Sequence, residues 1–180
     1  MPTQPERFEL IGGREPRPVV IVDYDPAWPV RFETERARIA AALPHATAIE
    51  HVGSTSVPGL AAKPIVDIQV DVDGDLEDAV APLTAAGYEL RVREPGHRMF
   101  RTPARDVHVH LWTAPDDRAR HLRFRDWLRT HTDDRTLYET TKRALATREW
   151  GDMNDYADAK SSVIREITAR ADGAAARHSQ

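Results

Sequence analysis

The chain has 180 residues, of which 41% are hydrophobic, and it carries a formal net charge of -4 and no cysteine. This length suits one domain with a sizeable core, and no apolar run approaches the roughly eighteen residues of a membrane-spanning helix. The lack of cysteine excludes disulfides, thiolate zinc sites and cysteine nucleophiles. The N-terminal residues lack the basic and then apolar plan of a secretory signal, so we expect a cytoplasmic protein without a membrane partner.

Charged side chains are unevenly distributed. Residues 64–90 contain seven acids and no lysine or arginine, whereas residues 91–129 contain ten arginines and five acids. This pattern fits two solvated faces, or one region that attracts cations and another that attracts phosphates. The acidic net charge and the lack of any nucleic-acid-binding motif argue against a nucleic-acid partner.

The predicted elements begin after a loose, proline-rich arm at residues 1–18. The predicted elements then follow in this order: strand 19–22, helix 25–44, strand 46–52, strand 65–72 and helix 74–87, which is capped by Asp73 or Asp75. A further strand follows that helix, and then a hairpin of residues 97–102 and 106–112. The pattern predicts a mixed α/β core over residues 19–113.

The second part of the chain has only helical periodicity. Three helices are predicted at residues 116–131, 133–150 and 152–171, each with aspartates suited to an N-cap, and residues 173–180 are expected to fray. We therefore expect one domain over residues 19–172, in which residues 114–172 form a helical cap on the α/β core. The fold class is α/β (α+β), with a mixed sheet and flanking helices.

A glycine-serine turn precedes an isolated aspartate in the segment "EHVGSTSVPGLAAKPIVDIQVDV". Glycine at position 53 lets the backbone approach a ligand, and Ser54 and Thr55 offer donors to phosphate oxygens. Asp67, on the next strand, is suited to hold a divalent cation, and Lys63 adds a positive charge. This is the plan of a nucleotidyltransferase fold, although Gly53 and Ser54 by themselves also fit an ordinary strand-ending turn.

Four segments together carry a resemblance to a known family: "IEHVGSTSVPGLAAKPIVDIQV", "YDPAW", "HLRFRDWLRTH" and "YETTKRALA". From about Val19 to Ala171 the chain resembles the GrpB family of small bacterial proteins. The resemblance implies a nucleotidyltransferase-superfamily fold of the DNA polymerase β type and an ancestry in nucleotidyl transfer. It does not name a substrate.

The acidic residues differ from those of a usual two-metal site. Asp67 and Gln69 are the predicted catalytic pair, but Gln69 stands where a second acid is expected and supplies no charge. His108 and His110 share a strand face and, with Asp67, could form a metal site, with His51 as a fourth ligand. Imidazoles favour Mn²⁺, Fe²⁺, Ni²⁺ or Zn²⁺ over Mg²⁺. The alternative is that His108 and His110 are hydrogen-bonded fillers of a half-buried sheet face.

Further phosphate ligands are predicted outside the glycine-serine segment. Arg98 and Arg125 are candidate phosphate ligands, because a guanidinium group can donate two parallel hydrogen bonds to one phosphate. Tyr156 and Lys160 lie four residues apart, with the lysine inside an apolar helical stripe. An inward lysine needs an anion, which would be Asp126, an internal acid or a ligand phosphate, unless the side chain extends along the stripe to solvent.

Three functional hypotheses follow from these residues. The first is a nucleotidyltransferase or related phosphoryl-transfer enzyme that uses a divalent metal, Mg²⁺ or Mn²⁺ or a later transition metal. Its ligands would be a nucleoside triphosphate or another phosphorylated small molecule, and an undetermined acceptor. The second is a nucleotide-binding module without catalysis, which the scarcity of carboxylates favours. The third is a metal-binding phosphohydrolase built on the His-x-His strand.

Overall fold

The computed structural model describes residues 8–15, 18–151 and 153–178, and within these it shows a mixed sheet flanked by helices. The strands are β1 (Glu9–Leu10), β2 (Ala48–Val52), β3 (Val66–Asp71), β4 (Glu89–Glu94), β5 (His97–Arg101) and β6 (Val107–Trp112). The helices are α1 (Ala27–Ala42), α2 (Val80–Ala85), α3 (Pro115–Thr130), α4 (Thr132–Ala146), α5 (Met153–Ala159) and α6 (Ser161–His178). The predicted fold class is confirmed.

The six strands lie in the order β1-β4-β5-β6-β3-β2. Among the described strands, β3 and β6 form a parallel pair, and every other neighbouring pair is antiparallel. The predicted hairpin is present as β5 and β6. The β3–β6 pair brings together two strands that are far apart in the sequence, and both are central in the sheet.

The two faces of the sheet have different chemistry because side chains alternate along each strand. Ile68, Val70, Val109 and Leu111 face one side and are fully buried in the main hydrophobic core with α1 and α2. The residues between them on β3 and β6 are polar, and they face the C-terminal helices instead. One face therefore builds the core, and the other lies between the sheet and the C-terminal helices.

The C-terminal helices pack together around Leu128, Tyr138 and Ile167, which form a second hydrophobic cluster with Val57 and Leu60. Helix α4 also holds the segment between β2 and β3. Glu139 accepts a hydrogen bond from the Ala61 amide at 3.0 Å, and Lys142 donates to the carbonyl oxygen of the same residue. The cap is thereby fixed directly above the glycine-serine turn.

The N-terminal part of the core differs from the prediction. Residues Glu9 and Leu10 of the expected loose arm form β1 and pair with β4, while residues 1–7 and 16–17 lie outside the described part of the chain. The strand predicted at residues 19–22 is not formed, and only a bridge between Val22 and Ala62 remains. The helix predicted at residues 74–87 is a 3-10 helix, Leu76–Ala79, followed by α2, and Asp75 caps the 3-10 helix by accepting a hydrogen bond from the Glu77 amide at 2.9 Å.

The caps and ends of the C-terminal helices differ from those predicted. The N-caps of α3 and α4 are Ala114 and His131, which make no side-chain cap hydrogen bond, so the predicted aspartate caps are wrong there. The aspartates lie instead in the first turns of α3 and α4, where their negative charges interact favourably with the helix dipole. The predicted third helix is divided at Lys160 into α5 and α6, and its predicted cap Asp152 lies outside the described residues. The tail expected to fray from residue 173 continues α6 to His178.

The length and apolar character of the described helices bear on whether any of them could span a membrane. None of those in residues 8–15, 18–151 and 153–178 has the length and apolar character required to span a bilayer.

Candidate metal centre and ligand cavity

Three side chains of the types that can bind a metal ion converge on the polar face of the β3–β6 pair. The parallel register places Asp67 beside His108 and Gln69 beside His110, so these side chains share one face. The Asp67 Oδ1 atom lies 3.4 Å from His108 Nδ1 and 3.8 Å from His110 Nε2. One ligand atom from each of the three residues lies within 4.8 Å of the other two. The distances are longer than a good hydrogen bond and leave room for an ion.

The glycine-serine turn lies against this group. Gly53 has φ 69° and ψ -173°, a combination that only glycine adopts readily. A Cβ atom built on Gly53 would lie 2.5 Å from Asp67 Oδ2. Ser54 lines the same cavity and makes a side-chain hydrogen bond with Tyr138 of α4. The predicted approach of this turn to the Asp67 carboxylate is present in the structure.

The electrostatics favour an ionised carboxylate at position 67. Burial raises the pKa of the Asp67 carboxyl, but the neighbouring imidazoles of His108 and His110 lower it by more than burial raises it. The resulting pKa lies below the ordinary value. An ionised carboxylate with two imidazoles is a donor set suited to Mn²⁺, Fe²⁺ or Zn²⁺. Asp67, His108 and His110 are therefore the residues that could hold a metal ion.

A second histidine layer supports His110. The His97 Nε2 atom lies 3.1 Å from His110 Nδ1, and its Nδ1 atom lies 2.6 Å from a carboxylate oxygen of Glu94. The His97 ring stacks on Trp112, with centroids 3.7 Å apart. Burial first, and then the proximity of His110, lowers the pKa of His97 to about 3. His97 was missed as a site residue, although it is the first residue of the predicted hairpin.

Gln69 occupies the position of the missing second acid. Its side chain is 1% exposed, and its Nε2 atom donates to Asp71 Oδ1 at 3.3 Å. Asp71 also approaches Arg118 of α3 at 3.7 Å. The Gln69 Oε1 atom is buried and has no hydrogen-bond partner among the described residues. Gln69 lines the cavity, so a ligand or water molecule there is a candidate partner for this buried oxygen.

A cavity of about 750 Å³ lies between the polar sheet face and the helical cap. It is lined by the metal-binding candidates, by Gly53 and Ser54, and by three lysines, which are Lys63, Lys142 and Lys160. The ammonium groups of Lys63 and Lys160 lie 5.1 and 4.7 Å from the centre of the Tyr156 ring. The volume is typical of a small-molecule site.

The lysines have unusual environments. Burial, and then repulsion from Lys160, lowers the pKa of Lys142 to about 7, and its side chain is 2% exposed. Burial also lowers the pKa of Lys160, although the Asp67 carboxylate opposes this shift. Tyr156 is fully buried, and its hydroxyl has no partner within the described part of the chain. The cavity therefore combines crowded amines with an unsatisfied hydroxyl, which suits an anionic ligand.

Lys142 was missed as a cavity residue. The available signal was its spacing from Tyr138, which is the same four residues that separate Tyr156 and Lys160. His121 was also missed, and it lines the cavity from α3 with a pKa that burial lowers to about 4. Its isolated position in a helix carries no recognisable pattern.

His51 and Thr55 do not join the proposed metal or phosphate ligands. His51 pairs with Ile68, so its side chain lies on the core face of the sheet, opposite Asp67. Its ring stacks on Phe32, and its Nε2 atom lies 3.0 Å from the Thr55 hydroxyl. That hydroxyl donates to the Ile65 carbonyl at 3.1 Å. Both predictions are corrected, because these groups are buried and bond within the protein.

Arg98 and Arg125 are corrected for a similar reason, since neither lines the cavity. Arg98 is 1% exposed and contacts the Glu77 carboxylate at 2.8 and 3.0 Å. Arg125 donates to Glu50 at 2.8 Å and holds α3 against β2. The suggested pairing of Lys160 with Asp126 is also wrong, because Asp126 contacts Arg125 and Lys160 points toward Tyr156.

A family model described as "GrpB protein" matches residues 18–170. The chain belongs to the GrpB family. It is 55% identical over 173 residues to a UPF0157 protein of Streptomyces coelicolor, covering 94% of this chain and 92% of that protein. It is similar to the crystal structure of conserved protein GrpB from Enterococcus faecalis, with a TM-score of 0.75 and 32% identity, over 84% of this chain and 96% of that one.

A second kind of relative is longer than this chain. The GrpB-family chain is 30% identical over 190 residues to a protein of Mycolicibacterium paratuberculosis named dephospho-CoA kinase. The match covers 86% of this chain but only 46% of that protein. The similarity therefore concerns about half of the longer protein.

Proposed function

We propose that this protein is a divalent-metal-dependent enzyme that transfers a nucleotidyl or phosphoryl group from a phosphorylated small molecule. The observation that carries the proposal is the convergence of Asp67, His108 and His110 beside the Gly53 turn, in a cavity with three lysines. A nucleoside triphosphate is the ligand class that best fits a metal site next to a cluster of amines.

Each part of the cavity has a distinct task in this proposal. Asp67, His108 and His110 would hold the metal, which when bound would polarise a phosphoryl oxygen. Lys63 and Lys160 would neutralise further phosphate oxygens, and the free Gln69 oxygen would orient a ligand hydroxyl or a water molecule. The cap helices supply the other wall of the cavity, through Tyr138, Lys142 and Tyr156.

The donor set favours a later transition metal or Mn²⁺ over Mg²⁺. Mg²⁺ binds oxygen donors and retains several waters, whereas this site offers one carboxylate and two imidazoles. The same observation favours a second candidate function, a metal-dependent phosphohydrolase in which water is the acceptor. A binding module without catalysis is the third candidate, and it is favoured by the absence of an acid at position 69. The match to a protein named dephospho-CoA kinase is in keeping with a phosphorylated ligand in all three.

The test measures thermal unfolding while Mg²⁺, Mn²⁺ or Zn²⁺ is titrated with and without a nucleoside triphosphate. A ligand at a hundred times its dissociation constant stabilises a protein by about 2.7 kcal/mol. We expect Mn²⁺ or Zn²⁺ to stabilise the wild type, and we expect Asp67→Asn and His110→Gln to abolish the effect. The exposed residues Asp73 and His45 supply matched controls, Asp73→Asn and His45→Gln.

The second part of the test separates the candidate functions. Candidate acceptors are added in this part. Release of pyrophosphate from a triphosphate would identify a nucleotidyltransferase, formation of a nucleoside diphosphate with a phosphorylated acceptor would identify a phosphoryl transferase, and release of inorganic phosphate would identify a phosphohydrolase. Triphosphate-dependent stabilisation without any of these products would indicate a binding module. If neither metal nor triphosphate stabilises the wild type, the proposed function is wrong.

A further inference from the structure

A chain of three side chains leads away from the candidate metal centre. His110 faces Asp67 with its Nε2 atom, and its Nδ1 atom lies 3.1 Å from His97 Nε2. The opposite ring nitrogen of His97 lies 2.6 Å from Glu94. The Glu94 side chain is 32% exposed, so the chain runs from the cavity to the surface at β4. The metal proposal used only the first of these three residues.

The protons on the ring nitrogens of His97 and His110 can be assigned by starting from the Glu94 carboxylate. A carboxylate can only accept, so His97 Nδ1 donates its proton to Glu94. A neutral His97 then has no proton on Nε2, which must accept a hydrogen bond from His110 Nδ1–H. When His110 is neutral, as a metal ligand must be, its Nε2 atom consequently carries a lone pair directed toward Asp67. Two acceptors that face each other at 3.8 Å are suited to a cation between them.

We infer that His97 and Glu94 are positioning residues, which fix the ring orientation and the Nδ1–H tautomer of His110 so that its Nε2 atom is free to bind a divalent cation. The inference rests on the proposed metal site. It adds the second layer of that site, because a metal-ligating histidine is usually oriented by a hydrogen bond from its other ring nitrogen.

The position of His97 is itself tightly determined. Its ring stacks face to face on Trp112 and lies edge to edge with His110, nearly parallel to both, with interplanar angles of 10° and 5°. Its side chain is about 7% exposed. A role in packing alone is therefore the competing explanation. An apolar residue would satisfy that role, but it could not accept the proton of His110 Nδ1.

The first measurement is of the tautomer in the metal-free protein. Long-range ¹H–¹⁵N correlation spectra distinguish a histidine protonated at Nδ1 from one protonated at Nε2. We expect His110 to be the Nδ1–H tautomer in the wild type, and we expect His97→Leu to abolish this preference. His97→Gln should preserve it, because the amide oxygen can accept from His110 while the amide nitrogen donates to Glu94.

The second measurement is Zn²⁺ affinity, determined by competition with a chromophoric chelator. Loss of such a second-layer partner typically weakens metal binding by about 10- to 100-fold. We expect a loss of this size in His97→Leu, a smaller loss in Glu94→Gln, and substantial recovery in His97→Gln. The control is Glu89→Gln, which changes an exposed glutamate on the same strand. Circular dichroism and thermal unfolding report whether each variant is folded.

The outcomes separate this inference from the proposed function. If the wild type binds neither Zn²⁺ nor Mn²⁺ but His110 shows the Nδ1–H tautomer that depends on His97, the metal proposal fails and the positioning role stands. If the wild type binds Zn²⁺ and folded His97→Leu binds it equally well, the inference is overturned. An Nε2–H tautomer of His110 in the metal-free wild type would overturn it as well.

Discussion

Replacement of Gly53 by alanine tests the contact between the turn and Asp67. Gly53 has φ 69° and ψ -173°, and the added Cβ would lie 2.5 Å from Asp67 Oδ2 and 3.0 Å from Asp67 Cβ. Two separate costs follow. The backbone must adopt a conformation that alanine avoids, and the Asp67 carboxylate must move away from the new Cβ atom.

The magnitude can be set against a matched glycine. Gly59 has φ 77°, but a Cβ atom there would contact nothing within 4 Å. Gly59→Ala should therefore lose only the conformational term, about 1–3 kcal/mol of unfolding free energy. Gly53→Ala should lose this term and a further 1–3 kcal/mol, roughly, from overpacking against Asp67. The excess over Gly59→Ala contains the contact with the carboxylate and any added strain from the Gly53 ψ of -173°, and the Asp67→Ala background separates the two.

Urea denaturation of the two variants provides the measurement, and Zn²⁺ titration provides a second readout. Gly53→Ala should also weaken Zn²⁺ binding, because the displaced carboxylate no longer faces the two imidazoles. Combination with Asp67→Ala should recover part of the excess, since the Oδ2 contact is then removed. Equal destabilisation by Gly53→Ala and Gly59→Ala, with unchanged Zn²⁺ affinity, would refute the described geometry.

Three further substitutions test other parts of the structure. Lys142 has a folded-state pKa of about 7 against an ordinary 10.5, so the unfolded state binds more protons between these values and stability should rise with pH in this window. Lys142→Met should remove this component, and urea denaturation at pH 7 and pH 10 would show whether the gap between wild type and variant changes. Glu35 is 2% exposed and accepts a hydrogen bond from Tyr88; Glu35→Ala should cost about 1–3 kcal/mol by leaving that hydroxyl unsatisfied, whereas Tyr88→Phe in the same background should then cost little more. His51→Phe should leave Zn²⁺ affinity within about twofold of the wild type, which an isothermal titration would check, because His51 lies on the opposite sheet face and its loss removes one hydrogen bond worth about 1 kcal/mol.

The local part of the candidate site could be predicted from sequence. Strand periodicity places alternate residues on one face, so His108 and His110 had to point the same way, as did Asp67 and Gln69. Gly53 could be predicted because a glycine before a polar turn indicates a close backbone approach. These inferences need only the chain itself and no knowledge of which strands are neighbours.

The remaining site depends on register, which the sequence pattern does not contain. His51 was expected beside Asp67, but the antiparallel register pairs it with Ile68, and a shift of one residue reverses the face. Arg98 likewise pairs with Leu111 on the core side, whereas its neighbour His97 faces the cavity side. The prediction therefore named Arg98, which lies on the core side, and did not name its neighbour His97.

The charges of the cavity explain why its ligand is expected to be an anion. The metal candidates include a single carboxylate, so a divalent ion bound there would retain a net positive charge that the protein does not neutralise. On the other side of the cavity, Lys142 lies close enough to Lys160 and Lys63 for their charges to lower its pKa. A phosphate group between the metal and the amines would relieve both imbalances at once. Metal and phosphate should consequently increase each other's affinity, since coupling between two sites is reciprocal.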